Sequence, residues 1–435
     1  AGRLPDLLAQ RERAEQRIGG LLERAGAIAR PGEYRRLERI IWAASPGRVD
    51  LLDALRAAAA AAERNQQHRH GPAYRPAQPA PAGQPSPAVG PRPSASAPPL
   101  PTSAEPRFDA QRSQPKIVLH EHIEGTVPPA TLLEIAHRNN VSLTADTAEK
   151  LSELYRYTNF TQFLGVWRAV TGALRTEADF RQVLLEYART AAEQGAVYLE
   201  ATFSPVGAVR DGVSWQTVFD GYTSAIAEAA ERFGIIVRLT PEIARGTEPH
   251  LAEECARWAV AYRDRGVVGL GLGGDETKEP AASYADVFNI ARQGGLGVVP
   301  HAGETAGPAS IWDALSLNPD RIRHGIRAAE DPALMAELAR RGVVLDVCPT
   351  SNRKIGAVPD PVESIRKLRA AGVRVSISSD DPALFGTNLT NEYAIANSAG
   401  VDGRTAYEAG LSGVLGGDEV RAHLRRLGRA ATWAP

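Results

Sequence analysis

From residue 115 to residue 435 the chain alternates short apolar runs with longer amphipathic stretches. KIVLHEH, AVYLEATFSP, IIVRLTPEI, VVGLGLGGDE, GLGVVPHAGE, RIRHGI, VVLDVCPTSN and VRVSISSDD read as eight strands, each followed by a helical pattern. Near-continuous apolar strands separated by helices are the mark of a parallel sheet covered on both faces. Eight such units within 115–435 predict an α/β chain folded as a (β/α)8 TIM barrel, a fold that typically needs about 250 residues and tolerates insertions.

Upstream the pattern changes twice. In 1–67, Leu4, Leu7, Leu8, Ile18, Leu21, Leu22 and Ile28 recur at spacings of three, four and seven, which predicts a helical N-terminal segment broken at Pro31-Gly32 and Ser45-Pro46-Gly47. A small bundle or an interaction arm with a protein partner is the reading for it. In 68–114, twelve prolines lie between Pro72 and Pro106 among Ala, Gly, Ser and Gln, so this stretch is expected to be a disordered linker. His68 and His70 stand there in polar surroundings and are not read as a metal pair.

Composition excludes more than it selects. Lys+Arg 50 against Asp+Glu 51 leaves a net charge of −1, with no basic surplus for nucleic acid or an anionic membrane. Two cysteines, Cys255 and Cys348, exclude a disulfide framework and a Cys-rich zinc module. No apolar run approaches the ~18–20 residues of a membrane span. The only methionine is Met335, so the chain is expected to be processed or cut from something longer. A cytoplasmic location is expected, with secretion as part of an effector as the alternative.

The chemistry gathers where a barrel carries it, at the carboxyl ends of the strands. Strand one ends in His120 and His122, which share a face because alternate strand residues point the same way, while Glu121 points to the other. Strand five ends in His301-Ala302-Gly303-Glu304, strand six in His324, strand eight in Asp380-Asp381. Singly, each has a plain explanation: a bonded structural histidine, a turn, a helix cap. Four strands placing such groups at one rim point instead to a shared site. Imidazoles with a carboxylate and no thiolate suit zinc or a similar divalent ion. His120, His122, His301 and Asp380 supply three nitrogens and an oxygen, which leaves Glu304, His324 and Asp381 for proton transfer and substrate contacts. That division describes metal-assisted hydrolysis.

From PKIVLHEHIEGT through VYLEATFSP, GLGGDE, VPHAGET, RIRHGI and VCPTSN to SSDDPALFGT, about 115–400, the chain resembles the adenosine deaminase family of the amidohydrolase superfamily. The resemblance implies one Zn2+ per chain on His120, His122, His301 and Asp380, with His122 also facing the substrate and Asp380 also serving catalysis. It implies that Glu304 gives a proton to purine N1, that His324 orients or deprotonates the attacking water, that Asp381 meets N7, and that the Gly274 N–H meets N3. The H-x-E…P-C-x-x-C signature of cytidine deaminases is missing.

One position departs. Members acting on adenosine itself usually read H-x-H-x-D-G, whereas this chain has Glu124 in HIEGT, as adenine and aminofutalosine deaminases do. HAGETAGPASIW looks like the nucleoside branch. The expected reaction is therefore hydrolytic deamination of a 6-aminopurine nucleoside, of adenosine or 2′-deoxyadenosine type, to a 6-oxo product and ammonia, with Glu124 near the 5′ end. An aminofutalosine or adenine deaminase is the alternative, as is a deaminase toxin module of a larger effector. Between strands one and two, Phe160, Phe163, Leu164, Trp167 and Val170 recur at helical spacing. They predict a helix that packs on the barrel and covers the pocket, with Phe163 and Trp167 as substrate contacts.

Overall fold

Each of the eight apolar runs contains a strand: β1 (Lys116–His122), β2 (Ala196–Phe203), β3 (Ile236–Ala244), β4 (Gly269–Gly273), β5 (Gly297–Ala302), β6 (Arg321–His324), β7 (Val344–Val347) and β8 (Arg374–Ile377). They form one sheet in the order β1 to β8, every adjacent pair parallel. Helices lie between successive strands, so the architecture is the TIM barrel that the alternation predicted. The computed structural model describes residues 114–156 and 160–433 with Pro98 and Leu100, the side chains of 160–164 excepted. The helical segment expected at 1–67 and nearly all of the linker expected at 68–114 lie outside the described residues.

Proline marks many strand-to-helix passages. Pro205, Pro249, Pro308, Pro349 and Pro382 each stand at the first turn of a helix, where the fixed φ suits the helix and the missing N–H is not needed. Outward-facing strand residues pack on this helical layer. Phe203 of β2 meets Phe219 and Tyr222 of the helix Trp215–Phe233 at ring-centroid distances of 5.2 and 4.6 Å. Burying each such side chain stabilises the fold by roughly 1.5–3 kcal/mol.

The inside of the barrel differs from the apolar stack usual in this fold. Arg321 of β6 reaches across to Glu200 of β2 at 2.7 Å and to Asp346 of β7 at 2.9 Å. Tyr198 donates to Glu200 at 2.6 Å and Ser376 donates to Asp346 at 2.7 Å. All five side chains are fully buried. Arg323 repeats the device one step nearer the carboxyl rim, with Glu242 at 3.1 Å and Thr240 at 2.6 Å. The charges are thus paired and hydrogen-bonded, the condition for burying them.

The barrel closes at its rim. β8 meets β1 through a bridge between Glu121 and Asp380, in which the His122 N–H donates to the Asp380 carbonyl at 2.9 Å and the Asp380 N–H to the His120 carbonyl at 3.3 Å. The Ser378 hydroxyl completes the seam by accepting from the Leu119 and His120 N–H groups, both at 3.1 Å.

Candidate active site

The register of β1 against β2 slips between Val118 and Glu121: three residue steps on β1 face two on β2, from Leu199 to Ala201. This bulge resets the alternation. Ile117 and Leu119 join the inner cluster with Tyr198 and Ile236, and beyond the bulge His120 and His122 also face inward. Glu121 faces away, its carboxylate accepting from the Ser379 N–H at 2.7 Å and hydroxyl at 2.6 Å. Two of the rim residues, His324 (φ 59) and Asp380 (φ 66), hold left-handed backbone conformations. Such strain costs of order 1–3 kcal/mol and concentrates at functional sites.

Four ligand atoms converge here. The Nε2 atoms of His120, His122 and His301 lie 3.0, 3.2 and 3.4 Å from one another. Asp380 Oδ1 lies 3.2 Å from His120 Nε2 and 3.3 Å from His122 Nε2. The opposite ring nitrogens face acceptors: His120 Nδ1 the Asp346 carbonyl at 3.2 Å, His301 Nδ1 the Leu272 carbonyl at 3.0 Å, His122 Nδ1 the Glu242 carboxylate at 3.4 Å. Ring protons therefore belong on Nδ1, and three Nε2 lone pairs converge with a carboxylate oxygen. Lone pairs so placed repel unless a cation lies between them. A tetrahedral zinc site with arms of ~2.0–2.1 Å has edges of ~3.3–3.4 Å, close to these separations, so the residues fit the ion.

The remaining candidates border this cluster. His324 Nε2 lies 3.5 Å from Glu304 Oε1 and 3.8 Å from Asp380 Oδ2, while its Nδ1 meets the Asn352 side-chain amide at 2.9 Å. Burial pushes the His324 imidazole down to about 3, against the pull of Asp380. Burial, followed by the negative charges of Asp380 and Glu276, holds the Glu304 carboxyl well above the usual range. Burial and the adjoining Asp380 do the same to Asp381, whose buried Oδ1 has no partner among the described residues. Gly274, at φ +84, opens the loop after β4. With His122, Glu304, His324, Asp381 and Trp167 it lines a cavity of about 230 Å³, the scale of one small molecule. The Trp167 ring stands edge-on to His122 with centroids 5.9 Å apart, on the helix Phe160–Ala173.

One expected contact falls outside the described residues and another does not line the cavity. The side chain of Phe163 lies outside the described residues. Glu124 is buried behind Ser204, accepting from the Ser204 N–H at 3.0 Å and the Tyr222 hydroxyl at 3.1 Å. Other residues at the site escaped the sequence reading. A Cβ on Gly125 would come within 1.9 Å of Asp381 Oδ1, so the glycine of HIEGT makes room for that carboxylate. Glu242 faces Nδ1 of both His122 and His301, at 3.4 and 3.6 Å. Glu276 ties the loop after β4 to the loop after β5, and Arg245, just after β3, bonds the Gly274 and His301 carbonyls. Gly125, Glu242 and Glu276 stood within quoted stretches, HIEGT, IIVRLTPEI and GLGGDE, without being singled out; Arg245 stood in none.

Comparison with known proteins adds to this geometry. Residues 115–414 match the family described as adenosine deaminase. The chain is 50% identical over 328 residues to a protein of Acidothermus cellulolyticus named aminodeoxyfutalosine deaminase, covering 73% of this chain and 92% of that one. It is 39% identical over 286 residues to a Rhizobium rhizogenes protein named adenine deaminase, covering 65% and 88%. Among solved structures, an amidohydrolase from Burkhoderia ambifaria with bound zinc superposes with a TM-score of 0.66 at 25% identity, covering 77% of this chain and 97% of that one.

Proposed function

The chain belongs to the adenosine deaminase family, and from that premise we propose that it is an aminodeoxyfutalosine deaminase, removing the 6-amino group of a purine nucleoside extended at its 5′ end. The observation that carries this reading is the 50% identity over 92% of a relative with that name, against 39% for the adenine deaminase. It supports the aminofutalosine alternative over the adenosine and 2′-deoxyadenosine reading that the HAGET stretch suggested.

The chemistry follows from the residues. One divalent ion, zinc in this proposal, held by His120, His122, His301 and Asp380 supplies Lewis-acid activation of water when bound. Glu304, kept protonated by burial and by Asp380 and Glu276, donates to purine N1 and so draws electron density from C6. His324, kept neutral, accepts from the Asn352 amide through Nδ1 and so carries its proton on Nε2, where it orients the attacking water. The proton that water loses passes to the Glu304 carboxylate once Glu304 has given its own to N1. Asp381, also held protonated, presents a donor to N7, which can only accept. The Gly274 N–H meets N3, and Trp167 covers the ring from above His122 and excludes water. Water adds its oxygen at C6, the C6–N bond breaks, and ammonia leaves with the proton returned through the same groups.

Ammonia release by the metal-replete chain from aminodeoxyfutalosine, adenine, adenosine and 2′-deoxyadenosine in parallel tests the reading. The highest kcat/KM is expected with aminodeoxyfutalosine. A preference for adenine would move the chain to the base-specific branch, and a preference for adenosine would restore the simple nucleoside reading.

A further inference from the structure

We propose that Glu276 is the positioning residue of this site: from the loop after β4 it grips the backbone of the Gly303–Glu304–Thr305 turn and so fixes the Glu304 carboxyl relative to Gly274. The proposal rests on the deaminase reading for the role of Glu304.

The carboxylate of Glu276 is buried at 7% exposure. One oxygen accepts from the Gly303 N–H at 2.7 Å and from the Ser310 hydroxyl. The other accepts from the Glu304 and Thr305 N–H groups, both at 2.8 Å. The grip is returned, since the Glu276 N–H donates to Thr305 Oγ1 at 3.2 Å. Three successive backbone donors aimed at one carboxylate are charge-assisted bonds of the strong kind, and the middle donor belongs to the proton donor itself. Within the turn, Gly303 sits at φ +70, the left-handed region that favours glycine, and a Cβ there would come within 2.4 Å of Ile311 Cδ1.

A second tie works in parallel. Arg245 donates to the Gly274 carbonyl at 3.2 Å and to the His301 carbonyl at 2.8 Å. The N3 contact and the N1 donor thus ride on loops joined through Glu276, while Arg245 ties Gly274 to the end of β5. A turn at an open rim can satisfy its amides with water. Here the amides instead converge on a carboxylate two residues beyond Gly274, which sets the spacing between the groups that meet the two ring nitrogens. Displacing a reacting group by about 1 Å costs roughly 10²-fold in rate.

The test uses the full chain with Glu276→Ala and with Glu276→Gln, the second keeping shape and volume if the first does not fold. The amide of Gln turns a donor toward backbone donors, so part of the grip is lost. Metal content is expected to stay at the wild-type level. The kcat is expected to fall about 10²-fold with a smaller change in KM. With the 8-aza analogue of the same substrate, whose electron-poor ring depends less on protonation at N1, the deficit is expected to shrink. An equal deficit for both substrates, or wild-type kcat, overturns the proposal. Hydrogen exchange of the Gly303, Glu304 and Thr305 amides provides a readout independent of turnover. Slow exchange in the wild type that becomes fast in Glu276→Gln supports the brace, and unchanged exchange overturns it. Absence of turnover in the wild type would count against the deaminase reading alone.

Discussion

At the scale of single residues, the proposed reaction gives proton transfer and fit to different groups. Glu304→Gln removes the acidic proton and keeps the volume, so deamination is expected to fall by about 10²–10⁴-fold at unchanged metal content, measured as ammonia release beside metal analysis. Gly125→Ala is expected to act through shape. Its methyl would collide with Asp381 Oδ1, and kcat/KM should drop by about 10²-fold although no ionisable group has changed. The convergence of His120 and His122 was legible in the sequence because H-x-H at a strand end has one geometric consequence, two imidazoles on one face. Gly125 was not, because its reason is the carboxylate of a residue on the far side of the barrel's seam. Glu124 marks a different limit. The residue type signalled a special position, but only the fold shows its carboxylate bonded to Ser204 and Tyr222.

At the scale of elements, periodicity predicted the eight strands and even the ends of β1, since apolar alternation and polar strand ends are local signals. The bulge in β1 was not local. It depends on the register with β2, and it places both Leu119 and His120 on the inside. The polar barrel interior escaped the same way: RIRH reads as a short strand with charges, and nothing near it in sequence announces Glu200 and Asp346 as partners. This network carries its own expectation. Arg321→Met leaves two buried carboxylates without their shared cation and should lower stability by about 3–5 kcal/mol, read as a shift in the urea midpoint. Loss of under about 1 kcal/mol would mean that the neighbouring Tyr198 and Ser376 hydroxyls suffice.

At the scale of the whole molecule, the seam that closes the barrel is also the site. Asp380 donates and accepts the last rungs of the sheet through its backbone while its side chain meets His120 and His122. Binding of an ion to these side chains is therefore coupled to barrel closure. Chelation is expected to lower Tm as well as remove activity, because a ligand bound only by the folded state stabilises it in proportion to RT ln(1 + [L]/Kd). No helix among the described residues is long and apolar enough to cross a membrane.

The most direct measurement is a titration of the metal-free chain with zinc, following ammonia release and bound metal together. Both should rise in proportion and break at one ion per chain, and both should be lost in His301→Ala. Full turnover by the metal-free chain, or full metal binding by His301→Ala, would contradict a hydrolytic deaminase built on these four ligands.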